Sequence, residues 1–349
     1  MRNICILSLF LLFSIFNTIG CSKKKNVIEP ATEPPIVESN FAKGADISWI
    51  TEMEASGKKF YNAAGVETEC FALMKSLGMN TIRLRVWVNP SPAWNNAADV
   101  VSKAVRAKNL GMRVMINFHY SDTWADPGQQ TKPAAWVSMS FTEIKSALAI
   151  HTVDVLNQLK AAGVTPEWVQ VGNETNNGLL WPDGKASTSM SNYAQLINAG
   201  YDAIKSVFVN AKVIVHVSNG WDNELFKWNI GGLISNGAKF DVIGMSLYPS
   251  FGGAGYTSYN QQCLSNMNDM IIRFNKEVMV VEVGMPWDSA PECKLFLTDL
   301  IAKVKSISNN KGLGVLYWEP QTYGGWNGYS LGAFDKSGKP TIAMDAFKD

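Results

Sequence analysis

From Phe41 onward, a short β-branched run followed by a longer amphipathic segment recurs eight times, with no shift in composition to interrupt it. This alternation constrains the chain more than any other feature. Parallel strands need long crossovers, and an amphipathic helix supplies each one. Strands are predicted at about Gly44–Trp49, Asn80–Val88, Arg113–His119, Trp168–Asn173, Lys212–Ser218, Asp241–Leu247, Val278–Val283 and Gly314–Trp318. Helices are predicted between them at Glu67–Leu77, Ala97–Asn109, Phe141–Ala162, Met190–Phe208, Glu224–Ser235, Tyr259–Phe274 and Glu292–Ser306, with a short closing one from Thr341. Gly78, Gly111, Gly163 and Gly312 fall where helices should stop. Eight such units in roughly 310 residues predict a single (β/α)8 TIM barrel over 41–349. A doubly wound sheet is the rival, but no GxGxxG follows the first strand.

The residues ahead of the barrel form an address and a tether. Arg2 precedes the apolar run Ile4–Phe16, whose thirteen residues suit a signal peptide and fall short of the ~20 that span a bilayer. The run leads into Thr18-Ile19-Gly20-Cys21, which resembles a bacterial lipobox. A signal peptide over 1–20 and a lipidated Cys21 are therefore expected, followed to residue 40 by a flexible linker with Lys23 to Lys25 and three prolines. These features imply an outer-membrane lipoprotein on the cell surface, with the periplasmic face left open, touching membrane only through its lipid. Cys70, Cys263 and Cys293 then remain, an odd number without a CxxC pair. A Cys263–Cys293 bridge is an open expectation, and Cys70, inside an apolar helical pattern, reads as a buried thiol.

Composition narrows the function. Lysine plus arginine number 31 against 30 acidic residues, a formal charge of +1, so no basic surplus marks a nucleic-acid binder. Hydrophobic residues make up 46%, enough for a full core, and 12 tryptophans exceed what a core alone usually needs, so stacking surfaces for a flat-faced ligand are plausible. With three histidines, no HExxH and no GxSxG, neither a catalytic metal nor a serine nucleophile is expected, and no cofactor is implied.

Barrel chemistry belongs at the C-terminal strand ends. There the sequence places Arg83 and Arg85, His119-Tyr120-Ser121-Asp122, Asn173-Glu174, Asn219, Ser246 and Tyr248, Glu282, and Trp318-Glu319. Inward charge in an apolar barrel is costly unless paired, so these positions need a reason. Glu174 and Glu282 lie on strands four and seven, which face each other across a closed barrel. Two opposed carboxyls are what glycoside hydrolysis requires. The alternative is that either glutamate serves only to neutralise an arginine.

Several longer runs carry a resemblance: NTIRLRVWVNP at 80–90, FHYSDTWADP at 118–127 with Pro133 and Trp136, VGNE at 171–174 followed by GLLWPDG, NGWD at 219–222, and YWEP at 317–320. Together they resemble glycoside hydrolase family 53, the arabinogalactan endo-β-1,4-galactanases, over essentially all of 41–349. The resemblance implies that Glu174 is the acid/base and Glu282 the nucleophile of a retaining, endo-acting enzyme. Asn173 would hold the sugar 2-hydroxyl and Arg83 would orient the nucleophile. His119, Asp122, Trp124, Asn219, Tyr248 and Trp318 would line sugar subsites. Galactan is the implied partner, and a monomer is expected. Some positions depart from the pattern: Val-Gly-Met-Pro-Trp after Glu282, Leu247 where a second aromatic is common, Asn117 in place of a frequent Asp, and a short Trp287–Cys293 stretch that gives no ground for a calcium site. Related barrels acting on mannan, xylan or cellulose, and a surface lipoprotein that captures glycan without cleaving it, are the competing functions.

Overall fold

The computed structural model describes residues 40–249 and 255–348. The expected signal peptide, Cys21 and all but the last residue of the linker lie outside them.

Eight parallel strands close into one barrel: β1 (Ala42–Asp46), β2 (Thr81–Val86), β3 (Arg113–Phe118), β4 (Trp168–Val171), β5 (Lys212–Val217), β6 (Val242–Leu247), β7 (Glu277–Val283) and β8 (Gly312–Trp318). Each pairs with its neighbours in chain order, and β1 pairs with β8 to complete the ring. The main helices are α1 (Ile50–Ala55), α2 (Cys70–Ser76), α3 (Ala97–Asn109), α4 (Phe141–Ala161), α5 (Met190–Val207), α6 (Asn223–Ser235), α7 (Tyr256–Phe274) and α8 (Ala290–Lys305). Side chains alternate along a strand, so one set of each strand faces out to the helices. Ile82, Leu84 and Val86 of β2 do so and join the large core between sheet and helices.

The inward set changes character along the barrel axis. Toward the N-terminal end, Ala42, Met115, Trp168, Ile214, Val242, Met279, Val281 and Leu316 form a separate, fully enclosed apolar plug. Above it, the next inward residues are Asp46, Arg83, Arg85, Asn117, Gln170, His216 and Ser246, all buried. Space is tight where β1 meets β2. A Cβ on Gly44 would stand 2.4 Å from the Thr81 carbonyl oxygen, so glycine is the residue that lets these strands approach.

Local chemistry sets the element ends. β1 stops at Asp46 rather than continuing to Trp49, because Asp46 Oδ1 accepts the Ser48 N–H (3.0 Å) and turns the chain out of the ladder. Glu69 caps α2 by accepting the Ala72 N–H (2.8 Å), so that helix starts later than its apolar spacing suggests. Ser140 and Glu143 form a capping box at the start of α4. Gly78, Gly111 and Gly163 follow their helices with positive φ, as expected of C-terminal stops. Gly312 does not stop a helix: α8 already ends at Lys305, and Gly312 opens β8, where a Cβ would lie 2.2 Å from the Val304 carbonyl oxygen.

The expected Cys263–Cys293 bridge is absent. Cys70, Cys263 and Cys293 are all free and buried. Cys263, on α7, faces Gly220, whereas Cys293, on α8, lies 3.7 Å from the Tyr317 hydroxyl, so the two thiols point at different parts of the core. Burial pushes both thiols up to about 12, leaving them neutral.

Candidate active site

The C-terminal mouth of the barrel holds a cleft of about 730 Å³. Its floor is a charged cluster on the upper inward layer, and its wall is aromatic.

Arg83 organises the floor. Its Nε donates to Gln170 Oε1 (2.5 Å), its Nη2 to Asn173 Oδ1 (3.0 Å), and its Nη1 to Asp46 Oδ2 (2.9 Å) and Glu282 Oε1 (2.8 Å). The Tyr248 hydroxyl donates to the other Glu282 oxygen (3.2 Å). Burial raises the Glu282 carboxyl above its ordinary range, and the Arg83 guanidinium opposes that rise.

Glu282 reaches this position through an irregularity. Met279 and Val281 belong to the inward plug, so strict alternation would send residue 282 outward. A register shift after Met245 pairs Ser246 with Glu282 and turns the carboxyl into the cleft.

Glu174 stands three residues past β4 with φ of 44°, a left-handed conformation costly for a non-glycine residue. Its Oε1 accepts from Ser246 Oγ (2.6 Å), and its backbone N–H points at His216 Nδ1 (3.3 Å). No guanidinium bonds it. Burial, followed by the nearby Glu282 charge, pushes the Glu174 carboxyl up to about 8. One oxygen of Glu174, one of Glu282 and a ring nitrogen of His216 lie within 4.8 Å of one another. Such a trio has the donor types to hold a cation, but these atoms are already engaged: His216 Nε2 with Ser246 Oγ (2.8 Å), and Glu282 with Arg83.

The wall is built by Trp49, Trp87, Trp124, Trp318 and Tyr329, with ring centroids 4.7 to 5.9 Å apart in tilted or edge-on pairs. The guanidinium carbon of Arg85 lies 5.0, 5.1 and 4.5 Å from the rings of Trp49, Trp87 and Trp124, and its Nη1 donates to Glu319 (2.6 Å). A cation against ring faces holds the aromatic group together. Tyr120, Asn219 and Glu319 repeat the left-handed corner of Glu174 after β3, β5 and β8.

Comparison with known proteins agrees with this geometry. The profile of Glycosyl hydrolase family 53 matches residues 42–295. The chain belongs to this family. An arabinogalactan endo-β-1,4-galactanase of Thermothelomyces thermophilus is 34% identical over 301 residues, covering 80% of this chain and 89% of that protein. A solved fungal β-1,4-galactanase superimposes with a TM-score of 0.81 at 32% identity, covering 88% of this chain and 98% of that one. The family 53 catalytic domain of Ignisphaera aggregans gives 0.80 at 29% identity, covering 91% and 99%.

As a family 53 hydrolase, the chain brings most of its sequence-predicted residues to one place: Glu174, Glu282, His119, Asp122, Trp124, Asn173, Tyr248 and Trp318 all line the cleft, and Arg83 lies directly beneath. His119 is neutral, since burial and the two arginine charges hold its pKa well below the usual range. Its Nδ1 accepts from Trp87 Nε1 (3.4 Å) and Ala125 N–H (3.2 Å), so Nε2 carries the proton. Asp122 has a bracing contact instead of two free oxygens: it accepts the backbone N–H groups of Asn89 (2.9 Å) and Ala134 (2.8 Å). Asn173 Oδ1 is likewise committed, to Arg83 and to Asn117 Nδ2 (3.0 Å), while one Nδ2 hydrogen goes to the Ala125 carbonyl (2.8 Å) and leaves the other for a ligand. Asn219 is exposed at the end of β5 and is not among the residues lining the cleft. Sequence reasoning passed over Asp46, Gln170 and His216. Their signal was parity alone: each stands on an inward position of its strand.

Proposed function

We propose that this family 53 hydrolase is an endo-acting galactanase that cleaves β-1,4-galactosidic bonds in galactan and arabinogalactan with retention of configuration. The approach of the two carboxyls carries the mechanistic part. One oxygen of each lies within 4.8 Å of the other, an approach that suits the ~5 Å spacing of retaining enzymes better than the ~6.5 Å or more at which inverting enzymes hold a water. The substrate rests on the family and on the relatives' galactanase names.

The roles follow from the partners. Glu174, without a cationic partner and displaced to about 8, starts protonated and gives its proton to the departing oxygen. Glu282, held by Arg83 and Tyr248, attacks the anomeric carbon to form a galactosyl ester. Glu174, now a base, takes a proton from the water that hydrolyses the ester. The Nε2–H of His119 and the free amide hydrogen of Asn173 are the donors for sugar hydroxyls. Trp124 and Trp318 offer apolar faces to the C–H side of galactose rings.

Proton NMR of the first-formed product tests this reading: the β-anomer is expected, and the α-anomer would overturn it. Viscosity of unbranched β-1,4-galactan should fall rapidly, whereas release of galactose from chain ends alone would contradict internal cutting. We also propose that Cys21 carries a lipid that tethers the enzyme to the outer membrane, a reading supported by the Thr18-Ile19-Gly20-Cys21 run. Equal membrane partitioning of wild type and Cys21→Ala would refute it.

A further inference from the structure

Asp46 has no place in the chemistry above, yet it shares the guanidinium that holds the nucleophile. It is fully buried at the last position of β1, directly opposite Arg83 in the ladder. Its Oδ2 takes one hydrogen of Arg83 Nη1 at 2.9 Å, and Glu282 Oε1 takes the same nitrogen at 2.8 Å. Its Oδ1 is held by the N–H and hydroxyl of Ser48.

We propose that Asp46 is a positioning residue of the reaction: by sharing Arg83 Nη1 with Glu282, it limits how much of the guanidinium charge reaches the nucleophile and keeps that nucleophile basic. The proposal rests on the assignment of Glu282 as nucleophile. Two carboxylates on one nitrogen divide a fixed charge, and in a water-poor site that division is felt strongly. Charge counting points the same way. Asp46, Glu174, Glu282 and Glu319 share Arg83 and Arg85, so four carboxyls meet two cations and the cluster favours keeping protons. Glu174, the one without a guanidinium, is raised furthest, to about 8, and burial also pushes Glu319 up to about 7. The other groups around Glu282 are neutral donors or rings: Tyr248 after β6, His216 on β5 and Tyr329 after β8, each held in its uncharged form by burial first. Asp46 is therefore the neighbour whose charge competes most directly for Arg83, and it raises the Glu282 carboxyl.

A purely structural ion pair would affect folding and leave the titration of the nucleophile alone. The two roles separate in the rate at which an activated dinitrophenyl glycoside of a fluorinated galactobiose traps the enzyme. Trapping needs an ionised nucleophile and no proton donor. In wild type the label should map to Glu282, and a label elsewhere would overturn the nucleophile assignment itself. In Asp46→Asn, Glu282 is the one carboxylate left on Arg83, so the acidic limb of the trapping rate should move down by about one pH unit, with a slower plateau. Ser48→Ala removes a donor from Asp46, which should lean harder on Arg83 and move the limb up. Opposite shifts are not what general damage to the fold would produce. A folded Asp46→Asn protein with an unmoved limb, or shifts of the same sign in both variants, would overturn the proposal. Should Asp46→Asn fail to fold, an unmoved limb in Ser48→Ala would do the same.

Discussion

The two halves of the barrel interior share strands and inward faces but differ in composition. Below, Met115, Trp168, Ile214, Val242, Met279 and Leu316 fill the space with apolar atoms, the Trp168 Nε1–H being the one polar group among these side chains and without a hydrogen-bond partner. Above, Arg83, Arg85, Asp46, Glu282, Glu319 and His216 occupy comparably buried positions and are stable there because most of their polar atoms are answered by another. Some are not answered: Arg85 Nε and Nη2, Asn117 Oδ1 and Gln170 Nε2 have no hydrogen-bond partner. The lower half can be judged by packing alone. In the upper half charge comes first, and it leaves more polar atoms unanswered than the single Trp168 Nε1 below.

Truncating one carboxyl at a time puts this division under the most severe strain. Glu282→Ala should lose several orders of magnitude in hydrolysis of every substrate, while Glu174→Ala should keep cleaving a dinitrophenyl galactoside as polysaccharide cleavage collapses. Added azide should give a product of inverted configuration with the first variant and of retained configuration with the second. A swap would exchange the roles of the two glutamates. In the lower half, Leu316→Ala should cost about 2 to 5 kcal/mol in chemical denaturation and leave kcat of the folded protein intact. A large kcat loss there would mean that the halves are mechanically coupled.

Smaller effects are expected at the cleft wall and in the response to pH. Trp124→Ala should raise KM for galactan by roughly 10-fold, about the value of one aromatic contact, while kcat changes less. The smallest effect concerns pH and stability. The Glu174 carboxyl is raised in the folded protein relative to the unfolded one, so its contribution is fully present below about pH 4.5 and is lost as pH rises through about 8. Glu174→Gln cannot ionise, so its melting temperature should gain on wild type by a few degrees between pH 5 and pH 9. A constant difference would place the Glu174 titration elsewhere. Wild-type activity should fall on the alkaline side over the same interval, as the acid loses its proton.

Periodicity carried most of the fold. It located all eight strands, and α3 coincides with its predicted span, because Asn96 caps its start just where the apolar spacing begins. What it could not supply were features set by single hydrogen bonds or by contacts distant in sequence. The short helix Ile50–Ala55 has too few turns to show a period, and the two-residue strands Gly178–Leu179 and Gly184–Lys185 have none at all. In the site, motif and strand position together found both glutamates. Strict alternation would nevertheless have rejected Glu282, since the slip that turns it inward shows only in the pairing of β7 with β6 and β8 and leaves no mark in the β7 sequence. The Cys263–Cys293 expectation failed for a related reason: a count of thiols says nothing about the directions in which two neighbouring helices aim them.

The left-handed corners at Tyr120, Glu174, Asn219 and Glu319 have a bearing on how such an enzyme responds to selection. A side chain in that conformation stores on the order of 1 kcal/mol or more that glycine would release. At 174 the strained residue is the proposed acid/base. A library of variants ranked only by survival of heat would therefore favour glycine at this corner, and under the proposed assignment its sturdiest members would be inert. Thermal endurance and turnover would then pull residue 174 in opposite directions, and a search for a hardier galactanase would have to score both traits together.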